Sequence, residues 1–258
     1  MTEAIPLICD QKQLDILVCE LNKQKRVCLD TEFIRVSTFY PKPALIQLCF
    51  NQDIFLIDPL SGLDFESFGS WISNKSTVII HSASEDYEVL HRITGDVPSF
   101  VVDTQVAHSL ISPEFSMSLS HLALHWLDIN LSKDQTRSDW TKRPLTKEQL
   151  SYAADDVLVL EPLMEILLKK LISLGRLYWF QEEMQEQIKK AKRVISDGNI
   201  EHQISKFGNA WKLNLVGFNK LINLVRWREK TAKKFNKPRS HILADKIIFQ
   251  ISAIESPL

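Results

Sequence analysis

Val27-Cys28-Leu29-Asp30-Thr31-Glu32-Phe33 places two carboxylates at alternate positions inside a largely apolar run. The run reads as a β-strand, and the two-residue period of a strand puts side chains i and i+2 on one face. Asp30 and Glu32 therefore point the same way. Adjacent carboxylates on the edge of a core repel each other and lose hydration, so a sequence that keeps them usually supplies cations. Hard oxygen ligands of this kind suit Mg²⁺ or Mn²⁺. Taken alone, the stretch is equally compatible with a strand turned outward that carries two solvated acids.

Working outward, residues 10–22 carry Leu14, Leu17, Val18 and Leu21 at helical spacing. Strand-like runs at 26–33, 44–50 and 54–57 have short links, which favours an antiparallel meander. Residues 35–43, with Phe39, Tyr40 and two prolines, read as a rigid exposed loop near the acidic strand end. Beyond Asp58-Pro59 the pattern alternates: a helix near 64–73, a strand at 77–80, a helix from Ser84, which would cap it, and a short apolar run at 100–102. Residues after Ser118 are largely helical apart from a polar loop at 131–144. Thr146 begins a helix that carries Tyr152 and Asp156 and meets a kink at Pro162. A long helix at 174–194, a break at 196–199 and helices at 211–235 and 239–251 complete the chain. The fold class this order predicts is α/β, a mixed sheet flanked by helices followed by an all-helical extension. It is the order of the ribonuclease H-like architecture.

At 258 residues the chain holds one large domain or a domain with an appendage, and 45% hydrophobic with 24% charged residues is ordinary for a globular protein. No N-terminal basic-then-apolar leader and no apolar run near the roughly 18 residues of a membrane span are present. A cytoplasmic protein that spans no membrane is the expectation. Cys9, Cys19, Cys28 and Cys49 form no C-x-x-C pair and read as reduced, partly buried small apolar residues. The net charge of −1 hides an asymmetry: residues 1–168 hold 13 Lys+Arg against 24 Asp+Glu, and 169–246 hold 18 against 7. An acidic first part and a basic last part suggest catalysis in one and a grip on a polyanion in the other.

His81-Ser82-Ala83-Ser84-Glu85-Asp86 follows the strand at 77–80, at a sheet end where sites gather, and Ser151-Tyr152-Ala153-Ala154-Asp155-Asp156 puts Tyr152 and Asp156 on one helix face at i and i+4. Alone, Asp86 fits a helix-dipole role equally well. Together, Asp30-x-Glu32, Asp86 within H-x-x-x-E-D, and Tyr152-x-x-x-Asp156 resemble the three exonuclease motifs of the ribonuclease D family, in the DEDD superfamily of 3′-to-5′ exonucleases. Flanking LDTEF, LIQL, SDW and RPLT agree with it. The position five before the last Asp is Ser151 and not His, so Tyr152 marks the tyrosine subclass.

The resemblance implies that Asp30, Glu32, Asp86 and Asp156 hold two divalent cations, Mg²⁺ or Mn²⁺, and that Tyr152 orients the attacking water. Thr31, Phe33 and Gln47 match positions near the 3′-terminal nucleotide, and Lys133 and Arg137 are candidates for phosphate contacts. His81 also matches, and reads as a satisfied structural histidine. Asn209-Ala210-Trp211 and Trp227-Arg228-Glu229 resemble the start of a helicase-and-RNase-D C-terminal (HRDC) domain. The implied organisation is an exonuclease domain at 1–195 and a partial HRDC-like helical region at 196–258. The implied activity is release of nucleoside 5′-monophosphates from RNA 3′ ends, with tRNA precursors as partners and a monomeric enzyme. The alternatives are a 3′-to-5′ DNA exonuclease and an inactive nucleic-acid-binding module. An inert module has no physical need for clustered acids. The absence of G-x-x-x-x-G-K argues against a nucleotide-driven motor.

Overall fold

The computed structural model describes residues 5–74, 76–136, 138–197 and 200–254. Its strands are β1 (Leu7–Ile8), β2 (Arg26–Ile34), β3 (Lys42–Phe50), β4 (Asp53–Ile57), β5 (Thr77–Ile80) and β6 (Val101–Asp103), joined in one mixed sheet in the order β1-β4-β3-β2-β5-β6. The meander β2-β3-β4 is antiparallel as expected, and β5 and β6 extend it in parallel. β1 is too short to leave a sequence pattern and pairs with β4. Central β2 is covered on both faces, which is why its run is largely apolar rather than cleanly alternating. Its register with β3 shifts between Glu32 and Phe33, a bulge that bends the strand just past the two acids.

The helices of this part are α1 (Gln11–Leu21), α2 (Glu66–Ile72), α3 (Asp86–Thr94), α4 (Thr104–Ser109), α5 (Leu119–Leu127), α6 (Lys147–Leu158), α7 (Leu160–Ser173) and α8 (Leu177–Asp197). Ser84 does not cap α3: the N-cap position is Glu85, without a side-chain cap bond, and the Ser84 amide bonds Ser82 carbonyl oxygen at 2.8 Å. Asp86 still falls in the first turn. Thr146 and Gln149 form a capping box at the start of α6. Pro162 does not kink that helix. The chain breaks at Val159, and Pro162 lies in the first turn of α7, where its missing N–H removes no helical hydrogen bond.

The chain divides into two compact units, 1–34 with 42–191, and 35–41 with 192–258. In the first, Cys28, Cys49 and Ile79 of the sheet pack with Leu160, Leu163, Leu167 and Phe180, while Leu45 and Leu56 pack with Trp140 and Ala153. Each buried leucine, isoleucine and phenylalanine among them contributes about 1.5–3 kcal/mol of apolar burial. All four cysteines are free, with Cys28 and Cys49 buried and Cys9 and Cys19 exposed.

The second unit contains α9 (Ile200–Ser205), a 3₁₀ turn at Ala210–Lys212, α10 (Leu215–Phe235), α11 (Arg239–Ile242) and α12 (Asp245–Ala253) around Phe207, Leu221, Val225 and Ile248. Gly217 lets α10 and α12 approach, since a Cβ there would lie 2.7 Å from the Ser252 carbonyl oxygen. The Trp227-Arg228-Glu229 triplet buries its charges in pairs: Arg228 bonds Asp245 at 2.5 Å and Arg239 bonds Glu229 through both Nε and Nη2. The segment at 35–41 is less exposed than expected. Phe39 is buried, Asn236 Oδ1 accepts from the Phe39 and Tyr40 amides, and the Arg239 guanidinium lies 4.6 Å over the Phe39 ring. The expected break at 196–199 does not begin at Ser196, because α8 runs through Asp197. Gly198 and Asn199 lie outside the described residues.

Candidate active site

β2 delivers Asp30 and Glu32 to one face of the sheet, and α6 packs on β2, β3 and β4 with Asp156 turned toward them. Carboxylate oxygens of Asp30, Glu32 and Asp156 lie within 4.8 Å of one another. Thr31, between the two strand acids, projects to the opposite face and donates its hydroxyl to Asp86 Oδ1 at 2.5 Å, which fixes the start of α3 against the strand. Asp86 and Asp156 are buried, whereas Asp30 and Glu32 are partly exposed.

The electrostatics follow from that crowding. Burial, then the charges of Asp86, Glu32 and Asp156, hold the Asp30 carboxyl well above the usual carboxylate range. Burial followed by Asp156 and Asp86 pushes Glu32 up to about 9. Asp86 and Asp156 rise to about 7, each mainly through burial, opposed by the Thr31 hydrogen bond at Asp86 and by the neighbouring Tyr152 hydroxyl at Asp156. Four carboxylates that cannot all ionise without help, and that offer only hard oxygen donors, fit divalent cations of the Mg²⁺ or Mn²⁺ type. Tyr152 sits one helical turn before Asp156, and burial, then the charge of Asp156, drives its hydroxyl further above its ordinary value. It remains a neutral phenol that acts by hydrogen bonding.

These shifts give stability a definite pH dependence. A carboxyl whose pKa is raised on folding binds its proton more tightly in the folded state, so its contribution is full below the unfolded pKa and is lost as pH rises through the folded one. In chelator, the melting midpoint is expected to fall steadily between about pH 4 and pH 9, the span from the ordinary carboxylate range to the value of Glu32. Mg²⁺ or Mn²⁺ should restore most of the loss at the alkaline end, since cations favour the ionised forms. Differential scanning fluorimetry across pH, with and without metal, checks this; a midpoint that rises with pH in chelator contradicts it.

The other expected positions fall variously. Phe33 is half-buried just past the bulge, and Lys133 is exposed with its Nζ 3.4 Å from His121 Nε2. Gln47 is fully buried opposite Asp30. Arg137 lies outside the described residues. His81 Nδ1 is 2.8 Å from the Thr104 hydroxyl, a structural bond. Sequence reasoning missed Asp103 and Arg143. Asp103 accepts from the amides of Ser82, Ala83 and Gln105 and so fixes the turn ahead of Asp86. Arg143 ties the loop before α6 to Asp58. The R-P-L-T text was visible, but its ion-pair partner lies 85 residues away.

A six-stranded mixed sheet presenting clustered acids beside a tyrosine on a helix defines a class of metal-dependent phosphodiester-cleaving proteins. Residues 6–172 match the 3′-5′ exonuclease family model, and the chain belongs to that family. It is 37% identical over 236 residues to ribonuclease D of Pseudomonas paraeruginosa, covering 91% of this chain and 62% of that protein. To ribonuclease D of Desulfotalea psychrophila it is 34% identical, covering 96% and 66%. The crystal structure of Escherichia coli RNase D, described as an exoribonuclease involved in structured RNA processing, superposes with a TM-score of 0.85 at 27% identity, covering 96% of this chain and 66% of that one. The chain thus spans about two thirds or less of the length of these relatives.

Proposed function

We propose that the protein is a 3′-to-5′ exoribonuclease that releases nucleoside 5′-monophosphates from RNA 3′ ends, with tRNA precursors among its substrates. The grouping of Asp30, Glu32 and Asp156 within 4.8 Å, with Tyr152 one helical turn before Asp156 on the same helix, carries this reading. In it, Asp30, Glu32 and Asp156 hold one divalent cation, and Asp30 and Asp86 hold a second. Bound there, the cations would activate water and neutralise charge on the attacking and leaving oxygens. Tyr152, one helical turn before Asp156, orients the attacking water. Thr31 holds Asp86 in place, and Phe33 stacks on the terminal base.

An open cleft of about 370 Å³ beside Tyr152 is lined by Ser132, Gln135, Lys147 and Ser151 together with Asp134, Glu148 and Asp155, and in this reading the unpaired tail enters there. Lys133 and Arg137 meet its phosphates. In this reading residues 1–195 form the exonuclease domain, and 196–258 are a partial HRDC-like region whose basic helices add a sequence-independent grip on RNA. The enzyme works as a monomer in the cytoplasm. Among the described residues, no helix is long and apolar enough to cross a membrane.

The test follows a 5′-labelled RNA with an unpaired 3′ tail, and the matching DNA, in Mg²⁺ or Mn²⁺. A one-nucleotide ladder on RNA that vanishes with chelator and with Asp156→Asn is expected. Equal or better cutting of DNA would replace the RNA reading with a DNA exonuclease. Binding without metal-dependent cutting of either polymer would leave an inactive binding module.

A further inference from the structure

Gln47 has no exposed surface. It stands opposite Asp30 in the β2-β3 register and opposite Leu56 in the β3-β4 register. Directly paired residues of antiparallel strands project to the same face, with Cβ atoms about 4.5–5.5 Å apart. The surroundings on that face are largely apolar: Leu45, Leu56, Trp140 and Ala153 of α6 form one buried cluster, with Tyr152 packed against it. A glutamine amide carries two N–H donors and a carbonyl acceptor. Both Nε2 and Oε1 of Gln47 are buried without a hydrogen-bond partner among the described residues. Leaving such a group unmet costs about 1–3 kcal/mol, a penalty that leucine or methionine would avoid at the same volume. Folding alone gives no reason for this amide. Its one polar neighbour in register is the acid at the centre of the carboxylate cluster.

We propose that Gln47 is a positioning residue for Asp30, its Nε2 donating to the Asp30 carboxylate when that carboxylate engages a divalent cation. The contact fixes which oxygen faces the ion and holds the carboxylate in one rotamer. It differs from the substrate contact expected for Gln47 from the sequence: an amide with no exposed atom acts through the acid beside it. The inference rests on the metal-binding reading of the site.

The experiment measures Mn²⁺ binding by isothermal titration calorimetry, and melting midpoints in chelator, for the full chain and its Gln47→Leu and Gln47→Met variants. Mn²⁺ affinity is expected to weaken about 10- to 100-fold in both variants. Their midpoints in chelator should hold or rise, because an unpaired buried amide has been removed. A merely structural glutamine gives the opposite pattern, with lower midpoints. Wild-type affinity in the variants overturns the proposal, and so do lowered midpoints or failure of both variants to fold. Failure of the unmodified protein to bind Mn²⁺ is a separate result, and it overturns the metal reading itself.

Discussion

Asp30→Asn is expected to lower kcat on a 5′-labelled, 3′-tailed RNA by about 10³-fold or more, or about 4 kcal/mol of transition-state stabilisation, with KM little changed. Asp30 is the residue on which the cluster converges, since Asp86, Glu32 and Asp156 all act on its carboxyl. The amide keeps the shape of the side chain and one oxygen but carries no charge, so it would weaken both of the cation positions proposed for Asp30. Remote contacts to the RNA are untouched, which is why the loss falls on turnover rather than on binding. The same change removes one of four mutually repelling carboxylates. In chelator at pH 8 the variant should therefore melt higher than the unmodified protein, a trade of stability against function. Single-turnover rates and paired melting curves read both effects. Activity within tenfold of the unmodified protein would remove Asp30 from the reacting centre.

The parts of this site that were legible in the sequence are those set by local periods. Asp30 and Glu32 share a face because a strand repeats every two residues, and Tyr152 meets Asp156 because a helix brings i and i+4 together. The N-cap at Thr146 is likewise legible locally, and the structure adds the reciprocal Gln149 bond that completes a capping box. Long-range packing was not legible. Whether Gln47 faces solvent or core depends on α6, about a hundred residues further on, covering that face of β3. Phe39 reads as an exposed loop aromatic until Arg239 is found over its ring. The kink expected at Pro162 became a clean break at Val159, because a proline inside a helix and one in a first turn look alike in a string of letters. Arg137 is the one expected substrate contact that lies outside the described residues.

The clamp that fixes the loop before α6 leads to the largest expected effect on stability. Arg143 Nε and Nη2 bond the two oxygens of Asp58 at 2.6 Å each, Nη2 also reaches the Ala44 carbonyl oxygen at 2.7 Å, and Nη1 reaches those of Trp140 and Lys142 at 2.8 Å. The Asp58 side chain is only 6% exposed. Removing the guanidinium strands a buried carboxylate and frees a loop that leads into Thr146 and the helix of Tyr152 and Asp156. Arg143→Ala is therefore expected to cost about 1–3 kcal/mol in unfolding free energy, the loss expected when a buried acceptor is left without its charged partner while that partner is itself partly exposed. Arg143→Lys keeps the charge but not the planar fork, and should recover only part of it. Asp58→Asn should soften the alanine variant, since the stranded charge is then gone; urea denaturation of the single and double variants measures the coupling directly. If the losses of Arg143→Ala and Asp58→Asn simply add, the pair is a surface decoration. A strong coupling instead makes this ion pair the brace that holds α6, and with it Tyr152 and Asp156, at the acidic strand.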